Sequence, residues 1–304
     1  LLEKCVPEYE VVSGNLGQEI FFSVDSRTIE SDELFVPIHG AKVDGHAYLA
    51  DALQRGAGAL VAREKKYLLD SMSFDCSLKL IIVVNDPQEA FFLLAAAWRA
   101  KFSFPLIAIT GSVGKTSTKV LIGAIFRAAG KQCFVAHGNQ NSVFGVSLNM
   151  ARLRESDEIA IFEVGISTQG EMARIVKYLQ PTTGVITCIG HSHLEGLGSL
   201  QGVAAEKRDI FKYFRENCIG IVNGDQPLLG EMSYSHPVIR FGMRTANQVQ
   251  ARKLKIGDDS VSFTLNLYGK KHEVTVPGLQ KELIMNILAA ASVAHYCGVS
   301  HETI

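Results

Sequence analysis

Between an apolar run at residues 106–110 and a helix-forming segment, the chain reads Gly111-Ser112-Val113-Gly114-Lys115-Thr116-Ser117. Residues of these types at this spacing can hold phosphate. Glycines let the backbone turn so that N–H groups point at phosphate oxygens, and the start of the next helix adds partial positive charge. Lys115 can then reach the outer phosphates of a nucleotide, and the Thr116 hydroxyl can ligate magnesium. The full phosphate-loop pattern would have glycine at position 109, where Ile109 stands, so only the shorter G-x-x-G-K-T-S form is present. A strand and a helix flank the loop as the mechanism requires, which favours a nucleotide loop over a chance glycine turn.

Three further polar positions fall where a metal-phosphate site needs them. Glu163 stands near the end of the apolar run 159–164, and His191 and His193 follow the run 184–189. In an open α/β sheet, ligands collect at the carboxyl ends of the strands, so these runs deliver a carboxylate, imidazoles and the phosphate loop to one edge. Taken singly, Glu163 reads equally well as a solvated strand-end carboxylate, and a lone histidine reads as structural. Lys207 shares a helical face with Leu200, Val203, Ala204, Phe211 and Phe214. One reading is snorkelling, with the stem buried and the ammonium in water. The other is an inward lysine which, once carbamylated by CO₂, offers magnesium the hard oxygen donors it prefers. Periodicity alone favours snorkelling.

The elements that position these residues follow from the apolar pattern. Residues 1–102 mix short β-like runs (19–24, 33–38, 58–62, 79–84) with helical stretches at 51–58 and 85–102. Asp86 is a natural N-cap there, with Pro87 at the first helical position. Ser103-Phe104-Pro105 reads as a hinge, giving two domains, 1–102 and 103–304. Beyond it, buried strands at 106–110, 159–164, 184–189, 219–223 and 237–241 alternate with helices, the pattern of a parallel sheet covered on both faces. Leu121, Ile122, Ile125 and Phe126 form the inward stripe of the helix after Lys115, which Gly130 stops. Residues 249–276 alternate apolar and polar, predicting a small antiparallel β appendage, and a last helix runs over 283–296 to Gly298. The fold class is thus α/β, with an α/β N-terminal domain and a phosphate-loop central domain.

Composition sets the outer limits. The 304 residues are 47% hydrophobic and 20% charged, with a formal net charge of −1, so no general attraction to nucleic acid or acidic membrane is expected. Six scattered cysteines without a CxxC pair argue against zinc and a disulfide framework, and for a reducing, cytosolic setting. The longest apolar runs are too short to span a bilayer. The chain opens on Leu1 without methionine and stops after residue 304, and it is expected to be a piece of a longer protein.

Together these motifs resemble the Mur ligases of bacterial cell-wall synthesis, ATP-dependent amide-forming enzymes of three domains. The loop TGSVGKTST is similar to theirs, FEVGISTQGEM resembles their E-x-G-x-x-x-x-G-E segment, and IGHSHLEGLGSLQGVAAEKRDIF resembles the block holding a metal-binding histidine and a carbamylated lysine. The resemblance implies Thr116 and Glu163 on a first magnesium, His193 and Lys207 on a second, and Lys115 against the phosphates. It overrides the snorkelling reading of Lys207. Residues 24–61 resemble the family's uridine-nucleotide domain, which nominates Ser26, Arg27, Asp44 and His46 for the UDP end of the substrate.

Residues 137–153 resemble a G-N-x-N-N-x-x-G-x-P segment and nominate Asn141, although Ser142 and Ser147 replace the second asparagine of the pair and the proline. Near the C-terminus Asn286 matches an adenine-contacting asparagine, while the family's neighbouring histidine is missing and Gly278 stands two residues too far upstream. The implied substrates are ATP with Mg²⁺, a UDP-N-acetylmuramoyl-tripeptide and D-alanyl-D-alanine, joined by a monomeric enzyme through an acyl phosphate. A tripeptide-forming ligase, a folylpolyglutamate-type ligase, or a nucleotide-binding module without turnover are the competing expectations. The family's third domain is expected to be absent, leaving this chain inactive or nearly so by itself.

Overall fold

A computed structural model of the chain describes residues 1–16, 21–40, 43–278 and 283–304. The chain divides into two compact units, residues 1–102 with 147–152, and residues 103–146 with 153–304.

The first unit is built on a five-stranded sheet. Its strands are β1 (Tyr9–Ser13), β2 (Phe21–Ser23), β3 (Glu33–Phe35), β4 (Gly58–Ala62) and β5 (Ile81–Val84), in the order β1-β5-β4-β3-β2. Only β1 runs antiparallel to its neighbour. β4 and β5 are buried along their whole length, as central strands covered on both faces must be. Leu49 and Leu53, from the helix Leu49–Gln54, pack with Phe35, Val61, Ile81 and Val83 in the unit's core. That helix stops at Gly56, whose φ of +100° suits glycine. Asp86 caps the helix Pro87–Arg99, its Oδ1 accepting the N–H groups of Gln88 (2.8 Å) and Glu89 (3.1 Å). The start of the expected strand at 19–24 lies outside the described residues.

The second unit holds a nine-stranded sheet. Its strands are β6 (Leu106–Thr110), β7 (Cys133–Val135), β8 (Ile159–Glu163), β9 (Thr183–Ile186), β10 (Ile219–Asn223), β11 (Val238–Gly242), β12 (Val249–Ile256), β13 (Ser260–Leu267) and β14 (Lys270–Pro277). The order is β14-β13-β12-β11-β10-β9-β6-β8-β7. Every pairing from β7 to β12 is parallel, and β13 and β14 add antiparallel strands to the end of the same sheet. The antiparallel portion is therefore a continuation of the main sheet, because β12 pairs with β11 at Val249 and with β13 along its length.

One face of this sheet carries the helices Lys115–Ala128 and Ile284–Tyr296, which pack on each other. Ile122, Phe126, Ile284 and Leu288 meet Ile107, Ile109, Val185 and Ile221 there. Side chains alternate across a strand, so Gly184 and Gly220 face the other way. Phe211 fills the space they leave, and a Cβ at Gly184 would stand 2.8 Å from its ring. Among the described residues, no helix is long and apolar enough to cross a membrane.

Candidate active site

Strands β8 and β9 flank β6 on either side, and the register aligns their carboxyl ends, Ile109 with Glu163 and Thr110 with Ile186. The chain goes from β6 to β7 and β8 on one side, then to β9, β10 and β11 on the other. That reversal opens a crevice at the strand ends, the usual ligand position in such sheets.

Residues 111–114 lie in that crevice. Gly111 (φ +151°) and Gly114 (φ +84°) both sit in backbone regions that favour glycine. Space demands glycine as well, since a Cβ on Gly111 would collide with Thr187 Oγ1 and one on Gly114 with Asn286 Oδ1. Asn286 is thus brought against the loop. The wall opposite is the segment after β9: the Ser112 N–H donates to Cys188 O (2.9 Å), the Gly190 N–H to Ser112 Oγ (2.8 Å), and Thr187 Oγ1 to Val113 O (2.6 Å). The helix Lys115–Ala128 begins without a side-chain cap, leaving the N–H groups of its first turn, Lys115, Thr116 and Ser117 included, for a ligand. Lys115 Nζ folds back and donates to Gly111 O (2.8 Å).

Glu163 is buried and accepts from two candidates at once. Thr116 Oγ1 donates to its Oε2 (2.8 Å), and Asn141 Nδ2 to its Oε1 (2.9 Å). Asn141 is seated by Gly165, whose N–H donates to Asn141 O (2.9 Å) and whose missing side chain makes room for the amide, 2.8 Å from where a Cβ would stand. The glycine of the E-x-G segment thus has a steric reason.

His193 adopts a left-handed backbone (φ +62°), unusual for a residue with a side chain, at the start of the short helix Leu194–Leu197. It lines a cavity of about 260 Å³ with Lys115, Asn141, Glu171 and Arg174. Partial burial alone would raise the Glu171 pKa, but the N–H groups of Ser167 and Thr168, and then the His193 charge, bring it below the usual carboxylate range. His191 is exposed.

Lys207 does not snorkel. It is 1% exposed on the helix Leu200–Arg208, and among the described residues no hydrogen bond or ion pair reaches its ammonium. Burial, reinforced by the charge of Lys115, draws its pKa down to about 8. Its neighbour Glu206 points to the helix Glu171–Leu179 and accepts the N–H groups of Gly170 and Met172, both at 2.9 Å.

Among the described residues, no group of three or more His, Cys, Asp and Glu side chains is placed to hold a metal ion. The adjacent oxygens of Thr116 and Glu163 are nonetheless hard donors that suit magnesium. His193 with Lys207 as an ammonium does not fit a cation. A carbamate on Lys207 would supply the oxygen donors that its ammonium lacks.

The first unit separates its four candidates. Ser26 and Arg27 line a cavity of about 430 Å³ with Asp51, Gln54 and Arg55, while Asp44 and His46 border another, of about 410 Å³, with Lys65. Arg27 is exposed and paired with Asp25 (2.7 Å), whose pKa its hydrogen bonds pull to about 2. Both nitrogens of the His46 ring are used by the fold: Nδ1 meets Asp44 Oδ1 (2.7 Å), and Nε2 accepts the Ala62 N–H (3.0 Å). That backbone donor fixes the neutral tautomer protonated at Nδ1.

Lys119, absent from the sequence-based candidates, is buried one turn beyond Lys115. Its Nζ donates to Ala136 O (3.0 Å) and Gly138 O (2.8 Å) and stands 3.8 Å from Glu163 Oε2. The signal was available, because Lys119 lies on the same inward stripe as Ile122 and Phe126.

The chain belongs to the Mur ligase family. The family's middle domain matches residues 109–294 and its catalytic domain residues 20–97. Among individual relatives, the UDP-N-acetylmuramoyl-tripeptide–D-alanyl-D-alanine ligase of Bacillus subtilis is 32% identical over 302 residues, covering 96% of this chain. The chain spans 64% of that relative's length. A crystal structure of MurF from Acinetobacter baumannii superposes with a TM-score of 0.80 at 28% identity, over 93% of this chain and 60% of that one. MurF ligase from Thermotoga maritima, solved with ADP, shares the fold at a TM-score of 0.82 and 24% identity, over 93% and 64% of the two chains.

Proposed function

We propose that the protein uses ATP to activate the carboxylate of a UDP-N-acetylmuramoyl-tripeptide as an acyl phosphate, from which the amine of D-alanyl-D-alanine expels phosphate. The observation that carries this reading is the juxtaposition, at the mouth of an uncapped phosphate loop, of Thr116, Glu163 and Asn141. Relatives across several bacteria carry the name of that reaction.

A carboxylate is a poor acyl donor because its leaving group is bad, and phosphorylation corrects this. The protein's part is mainly positioning and charge neutralisation. On this reading the N–H groups of Val113, Gly114, Lys115, Thr116 and Ser117 cradle the phosphates, while the Ser112 N–H stays on Cys188 O to hold the loop, and Lys115 exchanges Gly111 O for a phosphate oxygen. Asn286, against Gly114, contacts the adenine. The cavity between Lys115, Asn141 and His193 receives the carboxylate, where Lys115 offsets the gathering negative charge. Thr116 with Glu163, and His193 with carbamylated Lys207, are the residues that would hold two magnesium ions, which supply further charge neutralisation when bound. The buried amine of Lys207, its pKa drawn down to about 8, is more readily available as the neutral nucleophile that CO₂ requires, which supports the carbamate. In the first unit, Ser26, Arg27, Asp44 and His46 serve the UDP end, with Arg27 and Arg55 supplying cations beside one cavity. The enzyme is read as a cytoplasmic monomer.

Calorimetric titration with UDP-N-acetylmuramoyl-tripeptide and, separately, the dipeptide form tests the reading. Tighter binding of the tripeptide is expected. Preference for the dipeptide form would favour the tripeptide-forming ligase, and binding of neither would refute the assignment of the first unit.

A further inference from the structure

We propose that Lys119 is a positioning residue for the magnesium site, holding the Asn141 segment and the Glu163 carboxylate in register with Thr116. The inference rests on the reading of Thr116 and Glu163 as magnesium ligands, and it assigns a role to a side chain that binds neither substrate nor metal.

Lys119 sits on the helix Lys115–Ala128, and its side chain is 4% exposed against 5% for Glu163. An ammonium has three N–H donors. Two are spent on Ala136 O and Gly138 O, which bracket His137 in the segment leaving β7. The ammonium also lies 3.8 Å from Glu163 Oε2. Three residues past Gly138, Asn141 donates to Glu163 Oε1, and Thr116 donates to Oε2. One buried charge therefore fixes the path of the segment that brings Asn141 in and also faces the carboxylate that Asn141 and Thr116 hold.

Tying down a loop does not require a charge. Burying an ammonium is costly unless a counter-charge and hydrogen bonds compensate, and a neutral donor could bind the same two carbonyls at lower cost. The placement beside Glu163 is what the charge adds. It faces the carboxylate from the side opposite Asn141 and helps hold it in the orientation a hard cation needs. Groups that orient metal ligands from outside the ligand set commonly affect metal affinity by about 10–100-fold.

The test is the magnesium dependence of ADP binding to this chain, measured by calorimetry with and without Mg²⁺ for wild type, Lys119→Met, Glu163→Gln and the double variant. Lys119→Met is expected to bind ADP without magnesium as wild type does, and to lose about tenfold or more of the gain that magnesium brings. Glu163→Gln should lose the same gain, and the double variant should be no worse than Glu163→Gln, because the two residues act on one event. A loop anchor alone would lower metal-free and metal-dependent affinity in parallel, with additive losses, and that overturns the proposal. A magnesium gain kept by Lys119→Met but lost by Glu163→Gln overturns the role of Lys119 and leaves the metal reading standing. Wild type without a magnesium gain sinks both. Should Lys119→Met not fold, Asn141→Ala releases the same carboxylate from the other end. Its selective loss of the magnesium gain is expected, and an unchanged gain refutes the linkage.

Discussion

Replacing Lys207 by methionine should stabilise the protein at neutral pH and cease to do so in alkali. The pKa of this amine lies at about 8 instead of 10.5, first because burial penalises its charge and second because Lys115 repels it. Below pH 8 the folded chain carries an ammonium in a site that disfavours it. Between pH 8 and 10.5 the unfolded chain binds the proton and the folded chain sheds it, so wild-type stability rises with pH across that window. The displacement corresponds to ~3 kcal/mol, present as a full penalty below pH 8 and gone above pH 10.5. Methionine keeps the apolar stem and removes the charge, so Lys207→Met should gain up to ~3 kcal/mol at pH 7, less whatever repacking costs.

Urea denaturation from pH 7 to pH 10 in CO₂-free buffer, followed by far-UV circular dichroism, measures the difference. Added bicarbonate at pH 8 should stabilise wild type alone, since only it keeps the buried Lys207 amine to carbamylate. A gain that stays constant with pH would show that no buried charge was removed. A loss at every pH would show that the ammonium is well paired in the folded chain, and either result refutes the argument.

Gly114→Ala should weaken ADP binding well beyond its effect on folding. A side chain at φ +84° costs about 1 kcal/mol and here also meets Asn286 Oδ1, so adding Asn286→Ala should recover part of the stability in a thermal unfolding scan. In the first unit, His46→Ala leaves the Ala62 N–H without its acceptor while Asp44 keeps the backbone N–H of residue 46, and should cost about 1–2 kcal/mol in denaturant unfolding. Arg27→Ala, at an exposed ion pair, should leave the denaturation midpoint essentially unchanged and weaken UDP-nucleotide binding instead.

Central strands were legible in the sequence, as was the edge strand β14 by its alternation, whereas the edge strands β1 and β7 were not. The apolar runs at 106–110 and 219–223 coincide with β6 and β10, because a strand buried on both faces is a continuous apolar segment. β1 and β7 stand at the edges of their sheets; β1 alternates half-buried with exposed residues, and β7 is only three residues long, too short to stand out as a strand. The run 184–189 overshoots β9, which ends at Ile186. Its last residues stay apolar or small because they leave the sheet to wall the phosphate loop, and composition cannot distinguish those two uses. Periodicity located Lys207 on an inward face but could not decide its fate, since a snorkelling lysine and a fully buried one share the same spacing. The junction of Thr116, Glu163 and Asn141 joins residues from three separate segments, and only the sheet order brings them together.

The hydrogen bonds that now occupy the site imply that nucleotide and cation act on different parts of it. Lys115 donates to a neutral carbonyl, Gly111 O, and a phosphate oxygen offers a charge-assisted bond of roughly twice the strength. Exchange of that bond is favourable with nucleotide alone. Thr116 and Asn141 already donate to a carboxylate, and no anion improves on that arrangement. On the proposed reading, a cation that took lone pairs from the Thr116 hydroxyl and Glu163 together would open it. Metal-free nucleotide binding should therefore move Lys115 and leave the Glu163 junction closed, which is why affinities with and without magnesium can be separated at Lys119.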